Sequence, residues 1–157
     1  SGAVAQWTDF GTQAPRRLFL FDTWEGIPPD QLSEEEKRGP DLSREYRNGD
    51  ERYAKVQQKF ARWPNVVITR GRVPDTLEVL KDVEKIAYVS IDMNVVAAEM
   101  AAADFLWPRL VPGGMFLIDD YGWKLHYQQK LAWDAWAARH QVMIMALPTG
   151  QAIIMKP

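Results

Sequence analysis

The sequence has no cysteine, which excludes disulfides and thiolate metal sites and fits a cytoplasmic protein. It has no apolar run long enough to span a bilayer. Its first residues lack a signal-peptide pattern, because Trp7-Thr8-Asp9 interrupts a short apolar stretch. There is no surplus of charge either: 19 basic residues against 21 acidic ones give a net charge of −2. Electrostatics therefore make no case for a nucleic-acid partner or an anionic membrane. Internal repeats, low-complexity tracts and linker-like segments are also missing. What remains is a chain of 157 residues, 46% hydrophobic and 25% charged. That is enough for one domain with a sizeable core and too short for two ordinary ones. Seven tryptophans are many for this length; core packing accounts for most, and a pocket or interface for others, which leaves a homo-oligomer open.

The stretch from Lys85 to Gly122 organises the rest. Lys85-Ile86-Ala87-Tyr88-Val89-Ser90-Ile91-Asp92 and Pro112-Gly113-Gly114-Met115-Phe116-Leu117-Ile118-Asp119-Asp120 contain apolar runs of strand length, each ending in aspartate. Between them, Val95 to Trp107 is alanine-rich, free of internal glycine and proline, and reads as a helix stopped by Pro108. A strand, a crossover helix and a second strand make parallel neighbours, whose ends emerge on one edge of the sheet. Asp92, Asp119 and Asp120 are therefore expected to meet at the carboxyl edge, where open α/β sheets bind ligands. Any one of them alone would read as a helix cap or a turn former. Three together repel unless a positive charge sits among them, and a hard divalent cation such as Mg²⁺ meets that need.

Upstream, Ser1 to Phe10 reads as the end of a helix closed by Gly11. Arg17-Leu18-Phe19-Leu20-Phe21-Asp22 is a further apolar strand ending in aspartate, followed by an irregular Thr23–Pro29 stretch. Residues 30–50 are polar and charged, a solvated excursion or, alternatively, a lid over the carboxyl edge. Asp50 is expected to cap a helix from Glu51 to Arg62, with Tyr53, Val56 and Phe60 on one face. Asn65 to Thr69 reads as a strand, and Gly71-Arg72-Val73-Pro74-Asp75-Thr76-Leu77 turns into a short helix. Downstream, a helix from Tyr127 to His140 precedes two strands, Val142–Leu147 and Ala152–Met155, whose short link makes them an antiparallel hairpin. The alternation predicts an α/β three-layer fold with a mostly parallel sheet.

Specific residues carry a resemblance. Leu18-Phe19-Leu20-Phe21-Asp22-Thr23-Trp24-Glu25-Gly26-Ile27-Pro28 resembles the second-strand motif of the macrocin O-methyltransferase (TylF/MycF-type) family of class I S-adenosylmethionine (SAM) methyltransferases. Gly71 to Leu77 is similar to that family's next loop. Ser90-Ile91-Asp92 and Pro112 to Gly122 resemble its two acidic strand ends. The resemblance implies a Rossmann-like three-layer sandwich and Mg²⁺-dependent methyl transfer from SAM to a hydroxyl of a sugar or other natural-product-like small molecule. It implies that Asp92, Asp119 and Asp120 hold the metal and that Asp92 serves as the base. It places Asp22 on the ribose hydroxyls of SAM with Thr23 beside it, and Gly71 and Arg72 near the adenine.

Two departures qualify the transfer. Where the family has Asp-Gly-Asp-Leu-Tyr-Glu, this chain has Asp92-Met93-Asn94-Val95-Val96-Ala97, so the metal site is expected to carry one negative charge fewer. The family's first strand and glycine-rich SAM loop are expected ahead of Ser1, so residues 1–157 read as a single, N-terminally truncated methyltransferase domain with weak or no SAM affinity. A non-catalytic binding or oligomerisation module that retains the fold is the alternative. A receiver-like phosphoacceptor domain is a third reading and the poorest match, since its acidic pair belongs on the first strand. His140 is expected to serve the helix end it sits on, and His126 to be an exposed helix-entry residue or a pocket base.

Overall fold

The computed structural model describes residues 6, 9–13, 15–39 and 48–157. They divide into two compact units, one from residues 1–26 and 42–72, the other from residues 27–41 and 73–157. Among the described residues no helix is long and apolar enough to cross a membrane.

In the first unit, strand β1 (Leu18–Asp22) pairs in parallel with β2 (Val66–Arg70), with Leu18 opposite Val66 and Asp22 opposite Arg70. Helix α1 (Gly49–Phe60) lies between them in sequence. Its Val56 and Phe60 join Trp63, Leu18, Leu20, Val66 and Ile68 in one cluster, the i, i+4 stripe expected of an amphipathic helix. Asp50 is not the cap: the N-cap is Asn48, in the left-handed region at φ 64°. Asp50 falls inside the first turn, and its carboxylate accepts from Arg70 Nη1 at 2.6 Å. Asp50 therefore serves the Arg70 ion pair within the same unit and leaves the helix start to Asn48. The helix expected over Ser1–Phe10 lies almost wholly outside the described residues; Phe10–Thr12 is a 3₁₀ turn that runs through Gly11.

The second unit is a four-stranded sheet in the order β3-β4-β6-β5. Strand β3 (Ile86–Ile91) runs parallel to β4 (Leu110–Ile118) across helix α2 (Val96–Leu106). After helix α3 (Tyr127–His140), β5 (Ile144–Ala146) and β6 (Ala152–Met155) form the antiparallel hairpin, with β6 against β4. The strand–helix–strand reading and the hairpin are both present. The sequence strand from Val142 shortens to begin at Ile144, and β4 starts two residues before Pro112. The short helix expected after Gly71 is a 3₁₀ helix, Asp75–Leu80, with Leu77 and Leu80 buried.

Residues alternate across a strand, and the burial follows. Phe116, Ile118, Ala152 and Ile154 are fully buried on one face, together with Trp133 and Trp136 of α3. Phe116 meets Trp133 edge-on at 6.2 Å, and Trp107 meets Trp136 edge-on at 5.1 Å, the orientation that aligns a ring's positive edge with a neighbour's negative face. Ala98, Ala102 and Ala103 of α2 are buried as well, and α2 packs against α3; small side chains let helix and core approach closely. Tyr88, Met145 and Met155, on the opposite face by register, stay about half exposed. Among the described residues four tryptophans are buried, Trp63, Trp107, Trp133 and Trp136, so core packing accounts for most of them, as expected.

Candidate functional site

Parallel pairing brings the ends of β3 and β4 to one edge, and the Asp119 N–H donates to the Ile91 carbonyl at 3.0 Å. Asp92, Asp119 and Asp120 follow directly. One carboxylate oxygen from each lies within 4.8 Å of the others, so the three predicted side chains do converge. Asp92 is exposed and the other two are half-buried. Asp119 is aimed by Gln151, whose Nε2 donates to its Oδ1 at 2.6 Å. Burial pushes the Asp120 carboxyl above its ordinary range; the nearby charge of Asp119 adds to this and His126 opposes it. An acidic group held up by burial and by a like charge is short of positive charge.

The donor set suits a hard cation. Ligand oxygens on opposite sides of an ion are about 4.2 Å apart for Mg²⁺ and about 5 Å for Ca²⁺, from their usual metal–oxygen distances. The observed span needs at most a small side-chain rotation. Asn94, which stands where the family pattern has its second aspartate, lies two residues after Asp92 at φ 58°. Its Oδ1 is buried with no hydrogen-bond partner, a free carbonyl oxygen of the kind such ions accept.

Besides Gln151, two supports lie outside the sequence expectation. Glu99, in the first turn of α2, is 3% exposed. Burial raises its carboxyl to about 7, and the charge of Asp120 pushes the same way; hydrogen bonds from Trp133 and from the backbone at Asn94 and Met93 oppose the shift. Its signal lay in the helix pattern: α2 carries two acids, Glu99 and Asp104, in an otherwise apolar run, and a helix of that composition is buried over most of its surface. Glu36 is the other. Its Oε1 accepts the Val96 N–H at the start of α2 at 2.8 Å, while Oε2 accepts from Ser33 N. The polar 30–39 segment, mostly exposed, is thus tied to the helix that follows Asp92. Residues 40–47, the rest of the expected excursion or lid, lie outside the described residues.

Beyond Asp120, the Tyr121 hydroxyl donates to Asp134 at 2.5 Å, and Lys130 Nζ donates to the other Asp134 oxygen at 2.6 Å. This network fixes the aspartate loop to α3. His126 stands at the entrance to α3, with its Nδ1 3.4 Å from Gln129 Nε2. His140 stacks on Trp136 at 3.9 Å between centroids and pairs its Nδ1 with the Trp136 carbonyl, the structural role expected of it.

The predicted cofactor residues belong to the first unit. Asp22, at the end of β1, accepts the Trp24 N–H at its Oδ1 at 2.7 Å, and its carbonyl accepts the Gly71 N–H at 3.0 Å. Thr23 Oγ1 donates to the Gly26 carbonyl at 2.7 Å. Gly71, at φ 140°, and Arg72 follow β2, so all four cluster at the carboxyl edge of the β1–β2 pair. Asp22 uses one oxygen in this local turn and is otherwise exposed.

The fold matches that of solved methyltransferases. CalS11, a calicheamicin methyltransferase, superposes with a TM-score of 0.75 at 18% identity, over 98% of this chain and 65% of that one. The O-methyltransferase NovP gives 0.70 at 17% identity, over 99% and 64%. A putative caffeoyl-CoA O-methyltransferase from Staphylococcus aureus gives 0.60 at 10%, over 99% and 81%. The chain spans less than two thirds of the length of CalS11 and of NovP. No curated relative matches it in sequence. The fold is that of a class I methyltransferase. Residues 6–146 match the model of the macrocin-O-methyltransferase (TylF) family, and the chain belongs to that family.

Proposed function

We propose that the two units are parts of one domain of a cytoplasmic SAM-dependent O-methyltransferase that needs a divalent cation, Mg²⁺ first among them. Its acceptor would be a hydroxyl on a sugar or natural-product-like small molecule. The observation that carries this reading is the convergence of Asp92, Asp119 and Asp120 within 4.8 Å in a chain of this family.

Asp92, Asp119 and Asp120 would hold the cation, with the Asn94 carbonyl oxygen as a further donor. When bound, the cation supplies a charge that lowers the acceptor hydroxyl's pKa, and the SAM sulfonium supplies the methyl group. Asp92, the most exposed of the three acids, would take the hydroxyl proton as the oxygen attacks. Asp119 and Asp120 would hold negative charge beside it. Asp22, with one oxygen left free by its local turn, would accept from the ribose hydroxyls, and Gly71 offers an approach without a side chain.

Calorimetric titration with SAM, with and without MgCl₂, tests the proposal. Heat that grows when Mg²⁺ is present supports it. No heat in either condition favours the alternative, a non-catalytic binding or oligomerisation module, which the half-exposed face of Tyr88, Met145 and Met155 would suit.

A further inference from the structure

We infer that Glu99 is a positioning residue: it clamps the Met93–Asn94 turn from beneath and so sets where the Asp92 carboxylate points. For its effect on ion binding this rests on the cation reading above; for the turn itself it does not.

Glu99 lies in the first turn of α2, buried beside Ala98 and Ala102. A carboxylate in such surroundings is costly unless donors surround it. Here the Trp133 indole N–H, from a side chain that is itself fully buried, donates to its Oε2 at 2.8 Å. The backbone at Asn94 and Met93 turns toward the same carboxylate. Asn94 is held at φ 58°, a conformation that side-chain-bearing residues adopt rarely and keep only when their surroundings impose it. Asp92 immediately precedes this turn, so a shift of the two amides carries its side chain along. The chain of support runs from Trp133 on α3 through Glu99 on α2 to the turn that follows β3. An apolar residue at position 99 would fill the space and pack α2 against α3, but it would leave the turn's amides and the Trp133 indole without an acceptor. A role confined to helix packing therefore does not account for an acid here.

Glu99→Gln and Trp133→Phe are compared with the wild type by amide exchange over residues 93–95 in EDTA and by calorimetric titration with MgCl₂ alone. Glu99→Gln keeps the shape but turns one acceptor into a donor. With global stability at pH 8 no lower than wild type, exchange over 93–95 is expected to rise about tenfold and Mg²⁺ affinity to fall about tenfold, as for other residues that orient metal ligands. Trp133→Phe should move both readouts the same way by less. Unchanged exchange in both variants overturns the clamp. Faster exchange with Mg²⁺ affinity intact overturns its link to Asp92. If the wild type binds no Mg²⁺, the cation reading fails, and the exchange measurement still decides whether Glu99 holds the turn.

Discussion

Neutralising Glu99 should stabilise the protein at high pH and do little at low pH. A free glutamate ionises near 4.5, whereas in the fold Glu99 holds its proton until about 7. Each tenfold change in proton affinity is worth about 1.4 kcal/mol, so the ionised form is about 3 kcal/mol less favourable in the fold than in the open chain. The sign follows from proton counting. Between pH 4.5 and 7 the folded chain binds more protons at this site than the unfolded chain, so stability falls as pH rises through that window and levels off above it. Glu99→Gln removes the dependence. Against wild type it should be nearly neutral at pH 4.5 and more stable by up to about 3 kcal/mol at pH 8. Urea unfolding of both proteins at the two pH values, in EDTA so that no ion perturbs the cluster, measures this directly. An identical difference at both values would refute the reasoning, because it would mean that Glu99 titrates normally in the folded chain.

Other consequences are open to measurement. Asp119→Asn with Asp120→Asn should abolish the rise in melting temperature that MgCl₂ gives the wild type; an undiminished rise would remove these residues from the ligand set. Glu36→Ala leaves the Val96 N–H without its acceptor and should cost about 1 kcal/mol, the usual worth of a helix cap; urea midpoints unchanged from wild type would count against the tie. Tyr121→Phe deletes the donor to Asp134 and should cost about 1 kcal/mol, with α3 still formed by circular dichroism. Phe116→Ala opens a hole among Trp107, Trp133 and Trp136 and should cost about 3–5 kcal/mol, the largest loss of the set.

Much of this architecture could be read from local sequence because its rules are local. A strand, an unbroken alanine-rich helix and a second strand admit few arrangements, and the parallel pairing that such a crossover makes puts both strand ends on one edge. That alone brought Asp92 toward Asp119 and Asp120. The Pro148–Gln151 link likewise dictated an antiparallel hairpin. What escaped depends on partners far apart in the chain. Asp50 reads as a cap until Arg70 claims its carboxylate, and the helix then starts from Asn48. Glu36 looked like one more charge on a solvated segment, yet its oxygen meets an amide 60 residues on. Glu99 escapes because periodicity shows that a helix is buried without showing which indole reaches which of its two acids, Trp133 meeting Glu99 and Trp136 meeting Asp104. The role of Gln151 was hidden similarly, since nothing near it in sequence points to Asp119.

The turn between β5 and β6 makes the last of these contacts matter beyond the hairpin. Gly150 accepts the Gly122 N–H at 2.6 Å, and a methyl group on Gly150, which already sits at φ 88°, would lie 2.5 Å from the Trp123 indole. With Gln151 gripping Asp119, this connector is a gauge block for the acidic loop: its thickness fixes how far that loop stands from the end of the sheet. A residue inserted there would change that thickness and displace Asp119 relative to the strand ends, even with the β5–β6 pairing intact.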